Sequence, residues 1–224
     1  MRRLIILRPE PGASATAQSA KSMGLDPLAM PLFEIQPIAW QAPEPAGFDG
    51  LLLTSANAVR QAGETLRALR GLKAYVVGEA TAAAARRAGL DIACTGDAGV
   101  QRLLGSIDSD VRLLHLCGEH RTGIAAKQII AVVPVYRSAE LPPPGDLPAI
   151  AGATVAVHSP RAGKRLAELV DQARIDRRTV RIAAISGAAA SAAGPGWEAR
   201  EAANTPDERA LLALAARLCE YCCR

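Results

Sequence analysis

Hydroxyl and amide side chains cluster where an apolar run changes into a helical pattern. Thr54, Ser55 and Asn57 come directly after the apolar residues Leu51–Leu53. A Ser or Thr at the start of a helix is often only a cap for amides that lack partners within the helix. The same helix start also attracts anions, because its N–H groups and the positive end of its dipole point outward. Two interpretations remain open here, a structural cap alone or a site that binds carboxylates.

Turns of the same kind follow three other apolar runs. They contain Ser159, Gly78 with Glu79, and Ser186. If all of these turns face one cleft, they form an anion-binding surface built mainly from backbone amides. Capping alone remains the commoner role for any single turn, and the repetition is what favours binding.

Motifs typical of nucleotide-binding proteins, serine hydrolases and phosphatases are absent from the sequence. It has no G-x-G-x-x-G after a strand, no Walker lysine loop and no G-x-S-x-G elbow, so neither nucleotide binding nor serine hydrolase chemistry is predicted. Cys117 and Arg121 are too close together for a phosphatase loop, and Cys117 is expected to be a small buried residue. Gly118 and Arg121 are instead expected to face a ligand at the end of a strand.

Metal-binding patterns are also missing. The cysteines Cys219, Cys222 and Cys223 have no nearby Cys or His residues to complete a zinc site. No H-E-x-x-H pattern occurs, and His115 and His158 are isolated near strand ends. We therefore expect no metal site.

Tyr136 is one of three tyrosines and lies in the extended segment V-P-V-Y-R-S. A lone strand tyrosine is most often half-buried, with its hydroxyl bonded within the protein. The alternative is a phenol that hydrogen-bonds or protonates a leaving group beside the cleft. Both roles remain open from the residues alone.

Short apolar runs alternate with Ala-rich helical patterns along the chain. Most of these runs are uniformly apolar, which is typical of parallel strands covered on both faces. The alternation predicts an α/β fold with parallel sheets. The predicted strands are Leu4–Leu7, Leu51–Leu53, Ala74–Val77, Leu113–Leu116, Thr154–Val157 and Arg181–Ile185. The predicted helices are Ala13–Met23, Ala56–Leu69, Ala80–Ala88, Gly99–Ser106, Ala162–Gln172 and Pro206–Cys219.

The chain contains two weak copies of one plan. Residues 51–69 and 155–173 both consist of an apolar strand, a Ser and an amphipathic helix. Residues 74–89 resemble 182–194 in the same way, with a strand, a small turn and an Ala-rich helix. The repeat predicts two similar α/β domains.

Two extended, Pro-containing segments, 31–40 and 132–145, flank the first copy. They are expected to be edge strands or crossovers, because Pro removes a backbone donor. The simplest topology inserts one domain into the other and joins the two by a two-stranded linker. The predicted boundaries are 39–133 for the inserted domain, 1–35 plus 137–224 for the outer domain, and about 36–38 and 134–136 for the linkers.

Composition and charge exclude several classes of protein. The 224 residues carry a formal net charge of +4, which fits an anionic ligand but does not require a nucleic acid. Aromatic residues make up only 3%, too few for platforms that stack nucleic-acid bases. The apolar run Leu4–Leu7 is too short for a signal peptide, and no run is long enough for a membrane span. We expect a cytoplasmic monomer with reduced cysteines whose partner is a small molecule.

Eight short motifs together resemble the uroporphyrinogen-III synthase family. Each is degenerate alone, but their order and spacing match that family over nearly the whole chain. They are LRPEPG (7–12), MPLFEIQP (30–37), DGLLLTSANAV (49–59), VVGEATAAAARRAG (76–89), LHLCGEHR (114–121), VYRS (135–138), VAVHSPRAG (155–163) and AAISGAAASAAG (183–194).

The resemblance implies two α/β domains and a cofactor-free enzyme of tetrapyrrole synthesis. Its substrate would be hydroxymethylbilane, a linear polycarboxylate that loses water, inverts its terminal ring and closes to uroporphyrinogen III. Tyr136 matches the family's tyrosine that assists loss of the hydroxyl, and Arg8 would add a charge-assisted contact to a carboxylate. The other expected substrate contacts are Thr54, Ser55, Asn57, Gly78, Glu79, Gly118, Arg121, Ser159 and Ser186.

One motif departs from the family pattern. The usual G-x-x-T turn of the last site is replaced by Ser186-Gly187-Ala188-Ala189, so Ser186 would have to supply the missing hydroxyl. This departure leaves open a catalytically inactive member of the family. A two-lobed protein that senses a carboxylated ligand without converting it also stays open, because two α/β lobes around a cleft would look the same in the sequence.

Overall fold

The structure, a computed structural model, describes residues 1–97, 99–120 and 123–220. The chain divides into two compact units. The first combines Met1–Glu34 with the chain from Glu140 onward, and the second consists of Ile35–Ala139. Each unit contains a sheet flanked by helices, and the predicted α/β class with parallel sheets is confirmed. The predicted linker positions remain a prediction.

The strands and α-helices are numbered in chain order over the described residues. The strands are β1 (Leu4–Ile6), β2 (Pro27–Ala29), β3 (Phe33–Pro37), β4 (Gly50–Leu53), β5 (Lys73–Val77), β6 (Ile92–Gly96), β7 (Leu113–Gly118), β8 (Ile129–Glu140), β9 (Thr154–Val157), β10 (Arg181–Ala184) and β11 (Ala199–Ala202). The α-helices are α1 (Gly12–Ser22), α2 (Ala56–Gln61), α3 (Glu79–Arg87), α4 (Val100–Gly105), α5 (Pro160–Gln172), α6 (Gly187–Ala192) and α7 (Glu208–Glu220). Among the residues described, no helix has the length and apolarity needed to cross a membrane.

Two parallel sheets define the edges at which functional residues are found. The first unit has the strand order β11-β10-β9-β1-β2, and all of these pairings are parallel. The second sheet has the order β3-β8-β7-β4-β5-β6 and is parallel from β8 to β6. Because parallel strands end at the same edge, the turns after β1, β9 and β10 share one edge, and those after β4, β5 and β7 share another. Ligands of α/β sheets bind at such carboxyl edges.

Apolar strands and small helix residues form the core of the first unit. The side chains of Leu4–Ile6 and Thr154–Val157 are fully buried, with α5 and α6 covering one face of the sheet and α1 and α7 the other. Burying each large apolar side chain contributes about 1.5–3 kcal/mol. Gly163 of α5 allows close helix packing, because a Cβ there would lie 2.7 Å from the carbonyl oxygen of Ala189 in α6.

One predicted helix is interrupted. The pattern over Ala56–Leu69 predicts a single helix, but α2 ends at Gln61 and a 3-10 helix, Gly63–Leu69, follows. Gly63 has a φ of +63°, a left-handed conformation that an α-helix cannot contain and that glycine adopts without strain. The prediction of one continuous helix is therefore wrong.

Three short strands, β2, β6 and β11, were not predicted from the sequence. All three lie at the edges of their sheets. An edge strand has a partner on one side only and is less buried, and the side chains of these strands are partly or fully exposed. Their sequences therefore lack the uniform apolar run that marks the central strands.

The two Pro-containing segments behave differently. Segment 31–40 contains β3, which is an edge strand as expected. Segment 132–145 instead contributes to β8, which lies between β3 and β7 inside the sheet, so the expected edge position is wrong for this part. The alternative expectation of a crossover stays a prediction, and the boundary between the two units falls within this segment, at Ala139 and Glu140. Pro134 is tolerated in β8 because the pairing register with β7 shifts beside it, and Val135 is skipped. Such an irregularity removes the need for the N–H that Pro lacks.

Candidate active site

A polar cluster in the second unit surrounds Tyr136. The Tyr136 hydroxyl donates a hydrogen bond to Ser55 Oγ at 3.3 Å. The same Oγ accepts a hydrogen bond from the backbone N–H of Asn57 at 3.2 Å, which makes Ser55 the N-cap of α2. The phenol ring lies against Gly118, where a Cβ would be only 2.7 Å from Tyr136 Cζ. The structure therefore brings together three predicted site residues, Tyr136, Ser55 and Gly118.

The register of the second sheet explains this arrangement. β7 lies between β4 and β8, and Gly118 at the end of β7 pairs with Tyr136 of β8. The tyrosine side chain must therefore cross the end of β7 to reach Ser55 beyond β4. Only glycine leaves room for the ring at that crossing. Tyr136 is half-buried, so its hydroxyl has a fixed direction.

Thr54 is paired with a buried histidine that the sequence did not single out as a site residue. Thr54 Oγ1 and His115 Nε2 lie 3.2 Å apart, within hydrogen-bonding distance. His115 is buried in the middle of β7. A histidine inside an otherwise apolar strand was the available signal, because a buried polar side chain needs a partner.

The other predicted contacts of the second unit are engaged locally. The Asn57 side chain accepts a hydrogen bond from Arg60 at 3.2 Å. The N–H of Gly78 donates to the carbonyl oxygen of Gly96 at 2.8 Å. The exposed carboxylate of Glu79 pairs with Arg86. Gly78 and Glu79 follow β5 and thus lie at the carboxyl edge next to β4, but their bonds are separate from the Tyr136 cluster.

In the first unit, Ser159 and Ser186 are both helix caps. Ser159 Oγ accepts from the N–H of Ala162 at 3.2 Å, and Ser186 Oγ accepts from the N–H of Ala189 at 3.3 Å. They begin α5 and α6 after the neighbouring strands β9 and β10, so both lie at the carboxyl edge of this sheet. Ser186 therefore supplies the capping hydroxyl of the turn that departs from the family pattern.

Arg8 has partners within the first unit. Its guanidinium donates to Glu208 Oε2 at 2.9 Å and to Thr16 Oγ1 at 3.2 Å. Thr16 also bonds Glu208, and His158 Nε2 lies 3.4 Å from Glu208 Oε2. Burial alone would raise the pKa of Glu208, but His158, Thr16 and Arg8 together hold it below its usual value. The expected cation for a substrate carboxylate is thus already paired with a carboxylate of the chain.

Glu208 and His158 were not recognised as site residues from the sequence. Glu208 is 200 positions from Arg8, and only the fold brings the two side chains together. His158 was visible as a polar residue between the strand Thr154–Val157 and the cap Ser159, but a lone histidine near a strand end carries little information by itself.

Arg121, Cys222 and Cys223 lie outside the described residues. Cys117 is buried, as expected, and so is Cys219. Within residues 1–97, 99–120 and 123–220, no group of three or more His, Cys, Asp or Glu side chains is arranged to hold a metal ion.

A comparison with family models identifies one family for this chain. The family model described as uroporphyrinogen-III synthase HemD matches residues 14–213. The solved uroporphyrinogen-III synthetase of Helicobacter pylori 26695 is 18% identical, with a TM-score of 0.64 over 97% of this chain and 100% of that chain. A mutant uroporphyrinogen III synthase of the extremely thermophilic bacterium Thermus thermophilus is 18% identical, with a TM-score of 0.53 over 97% of both chains. At this identity the two structures support the fold alone. No curated protein matches the sequence.

Proposed function

The chain belongs to the uroporphyrinogen-III synthase family, and from this premise we propose that it converts hydroxymethylbilane to uroporphyrinogen III. In this reaction the terminal hydroxyl leaves as water, and the electron-rich pyrrole chain becomes an azafulvene. The substituted carbon of ring D attacks it to form a spiro intermediate, which rearranges and closes with ring D inverted. The protein must orient a flexible polyanion and assist the departure of the hydroxyl, which is catalysis by positioning.

The observation that carries this proposal is the position of Tyr136. Its hydroxyl is held 3.3 Å from Ser55 Oγ, and its ring lies over Gly118 at the carboxyl edge of the sheet. A phenol O–H that is fixed in direction can donate a hydrogen bond or a proton to a leaving hydroxyl. Ser55 Oγ accepts hydrogen bonds from both Tyr136 and Asn57, so the hydroxyl hydrogen of Ser55 can be donated to an acceptor on the substrate.

We propose that the remaining predicted residues hold substrate carboxylates through helix starts and side-chain donors. Backbone amides at helix starts are fixed in position and do not change charge with pH, so they suit a ligand that must be oriented at several points. The proposed contacts are Arg8, Thr54, Ser55, Asn57, Gly78, Glu79, Gly118, Arg121, Ser159 and Ser186.

We further propose that the protein works as a cytoplasmic monomer without a cofactor or nucleic-acid partner. The proposed organisation is an inserted domain, 39–133, joined to an outer domain by linkers at about 36–38 and 134–136. Neither non-catalytic alternative is favoured by a contact among the described residues. The family match supports the enzyme.

The test is to supply hydroxymethylbilane enzymatically and to separate the product isomers by chromatography. The wild-type protein should give the type III isomer, whereas spontaneous closure gives type I. Tyr136→Phe should lower the rate by about 100-fold or more, since general acid assistance contributes about 10²–10⁴-fold. Tyr75→Phe is the matched control in the same unit, because Tyr75 packs beside Gly50 in β4 and should tolerate the change. Formation of type I alone by the wild-type protein would refute the proposed function.

A further inference from the structure

Three donor groups converge on one carboxylate at the carboxyl edge of the first unit. Arg8 follows β1, Thr16 lies in α1 and His158 follows β9. All three contact the side chain of Glu208, which belongs to α7. A guanidinium, a hydroxyl and an imidazole are a donor set suited to binding a carboxylate from any source.

The Arg8 guanidinium is held in place by the shape of the chain around it. It lies across the start of α1, where a Cβ on Gly12 would be 2.5 Å from Arg8 Nε. Glycine at this position therefore allows the guanidinium to approach the helix closely. Together with the bond to Thr16, this packing fixes the direction of the cation.

His158 is the second observation that points to a ligand. Its side chain is only 8% exposed, and Nδ1 has no hydrogen-bond partner among the described residues. A buried polar atom without a partner is costly, because it has lost its hydrogen bonds to water and gained none in the protein. Such a cost is unusual in a cluster that serves stability alone, and it is common where groups are arranged for a binding function.

Glu208 is not required in this cluster to start its helix. α7 is capped by Asp207, whose Oδ1 accepts from the N–H of Ala210 at 2.8 Å. The Glu208 side chain is 35% exposed, so a rotation about its own bonds can carry the carboxylate into water without moving α7. Arg8 is similarly exposed at 36%, and a second carboxylate can therefore approach it from solvent.

We propose that Arg8, Thr16 and His158 form a carboxylate-binding site, that Glu208 occupies it in the free protein, and that a substrate carboxylate exchanges with Glu208. This inference rests on the proposed function, because it names the contact that one acid group of the polycarboxylate makes. Glu208 is then a specificity-determining residue: a ligand group must be anionic to compete with it, and a neutral group at the same position of the substrate gains nothing.

Competition from inside the chain lowers the apparent affinity. A site that is available for only a fraction of the time binds with an apparent affinity equal to its intrinsic affinity multiplied by that fraction. If Glu208 occupies the site for roughly nine-tenths of the time, its removal should tighten binding roughly tenfold. The effect should appear in KM and in the dissociation constant, while kcat, which depends on Tyr136, should change little.

The experiment compares the wild-type protein with Glu208→Gln by calorimetry with uroporphyrinogen III, kept reduced under anaerobic conditions. We expect the dissociation constant of Glu208→Gln to fall roughly tenfold. Arg8→Gln should weaken binding, and in the Arg8→Gln background the effect of Glu208→Gln should vanish, because both act on one site. An unchanged or raised dissociation constant for Glu208→Gln would overturn the inference.

Two controls separate this result from other causes. Glu201→Gln removes the exposed pair with Arg217 of α7, so it tests whether loosening α7 alone changes affinity; no change is expected. Glu208→Asp keeps the charge on a shorter side chain and should tighten binding by a smaller factor, which provides a second variant if Glu208→Gln does not fold. A change with Glu201→Gln as large as that with Glu208→Gln would overturn the inference.

Failure of the proposed exchange site can be distinguished from failure of the proposed function. If the wild-type protein makes the type III isomer and Glu208→Gln binds no better, only the exchange site is refuted. If the wild-type protein yields type I alone, the proposed function is refuted, and the calorimetric comparison still decides whether Glu208 competes with a polycarboxylate for Arg8.

Discussion

Two glutamates of the first unit are each held by cations, but at opposite ends of the same sheet. Glu198 accepts hydrogen bonds from Arg181, the first residue of β10, so this pair lies at the amino edge. Glu208 accepts from Arg8, which follows β1, so the second pair lies at the carboxyl edge. The two clusters have similar chemistry and differ in burial and in the completeness of their hydrogen bonds.

The amino-edge cluster is closed. Arg181 is only 3% exposed, and it also donates to the carbonyl oxygen of Leu218 in α7 at 2.7 Å. Arg2 donates to the same Glu198 and to the carbonyl oxygen of Thr179. Burial alone would raise the pKa of Glu198, but Arg181 and Arg2 hold it below its usual value. These bonds connect the start of the chain, β10 and α7, and their role is structural.

The carboxyl-edge cluster is open. Glu208 and Arg8 are both about one-third exposed, and the buried Nδ1 of His158 lacks a partner among the described residues. Ligands of parallel α/β sheets bind at the carboxyl edge, which is where this incomplete cluster lies. The difference indicates that one ion cluster stabilises the unit and the other is available for binding.

The largest expected effect comes from breaking the closed cluster. Arg181→Met removes a buried guanidinium and leaves Glu198 with fewer donors, which should lower the free energy of unfolding by about 3 kcal/mol or more. The melting temperature should fall by about 10 °C. Denaturant unfolding at neutral pH measures the change.

Arg217→Met is the control for this change. Arg217 of α7 pairs with Glu201 at an exposed position, so its loss should alter stability by less than about 1 kcal/mol. Equal losses for the two arginine variants would show that burial does not distinguish the clusters, and the comparison would fail.

A smaller effect, on binding rather than stability, is expected at the open cluster. Gly12→Ala places a Cβ where Arg8 Nε now lies, so the flexible guanidinium must move away while α1 itself is undisturbed. The dissociation constant for uroporphyrinogen III should rise severalfold, and the melting temperature should stay nearly constant. Gly105→Ala, at a helix glycine with open space around it, should leave the dissociation constant unchanged and raise the melting temperature slightly. A fall in stability without a change in binding would assign Arg8 a structural role, like that of Arg181.

The sequence predicted buried strands and helix starts better than contacts between residues that are distant in the chain. Runs such as Leu51–Leu53 are buried on both faces, and a uniform apolar pattern reports that environment directly. Ser55 and Ser159 were correctly placed at helix starts, because capping depends on a few consecutive residues. Local pattern is thus sufficient where local interactions decide the structure.

The pairings across the sheets were beyond the reach of local pattern. Arg8 was expected to be available to the substrate, and its partner Glu208 is visible only when β1 and α7 are folded together. The pair of Thr54 with His115 likewise joins neighbouring strands that are far apart in the chain. The packing of α7 on the sheet creates the first contact and the sheet register creates the second, and a single sequence reveals neither.

The smallest effect is expected at an exposed carboxylate of the second unit, which belongs to neither cluster and gives a baseline for both. Arg112 donates to both carboxylate oxygens of Asp49 at 3.0 Å, and the two side chains are 48% and 44% exposed. The hydrogen bonds from Arg112 lower the pKa of Asp49 to about 2. Because this pKa is depressed, the stabilisation is present above the ordinary value of 3.8 and is lost as the pH falls toward about 2.

Among the ion-pair variants, Asp49→Asn should therefore cause the smallest change in stability when all are measured at neutral pH. This change should shrink further as salt is added. Below pH 3.8 the wild-type protein should lose the Asp49 contribution while Asp49→Asn does not, so the two curves of unfolding free energy against pH should converge in acid. Denaturant titrations at neutral pH and across the acid range measure this. If Asp49→Asn destabilised the protein as much as Arg181→Met, exposure would not explain why one ion cluster stabilises the fold and another stays open to a ligand.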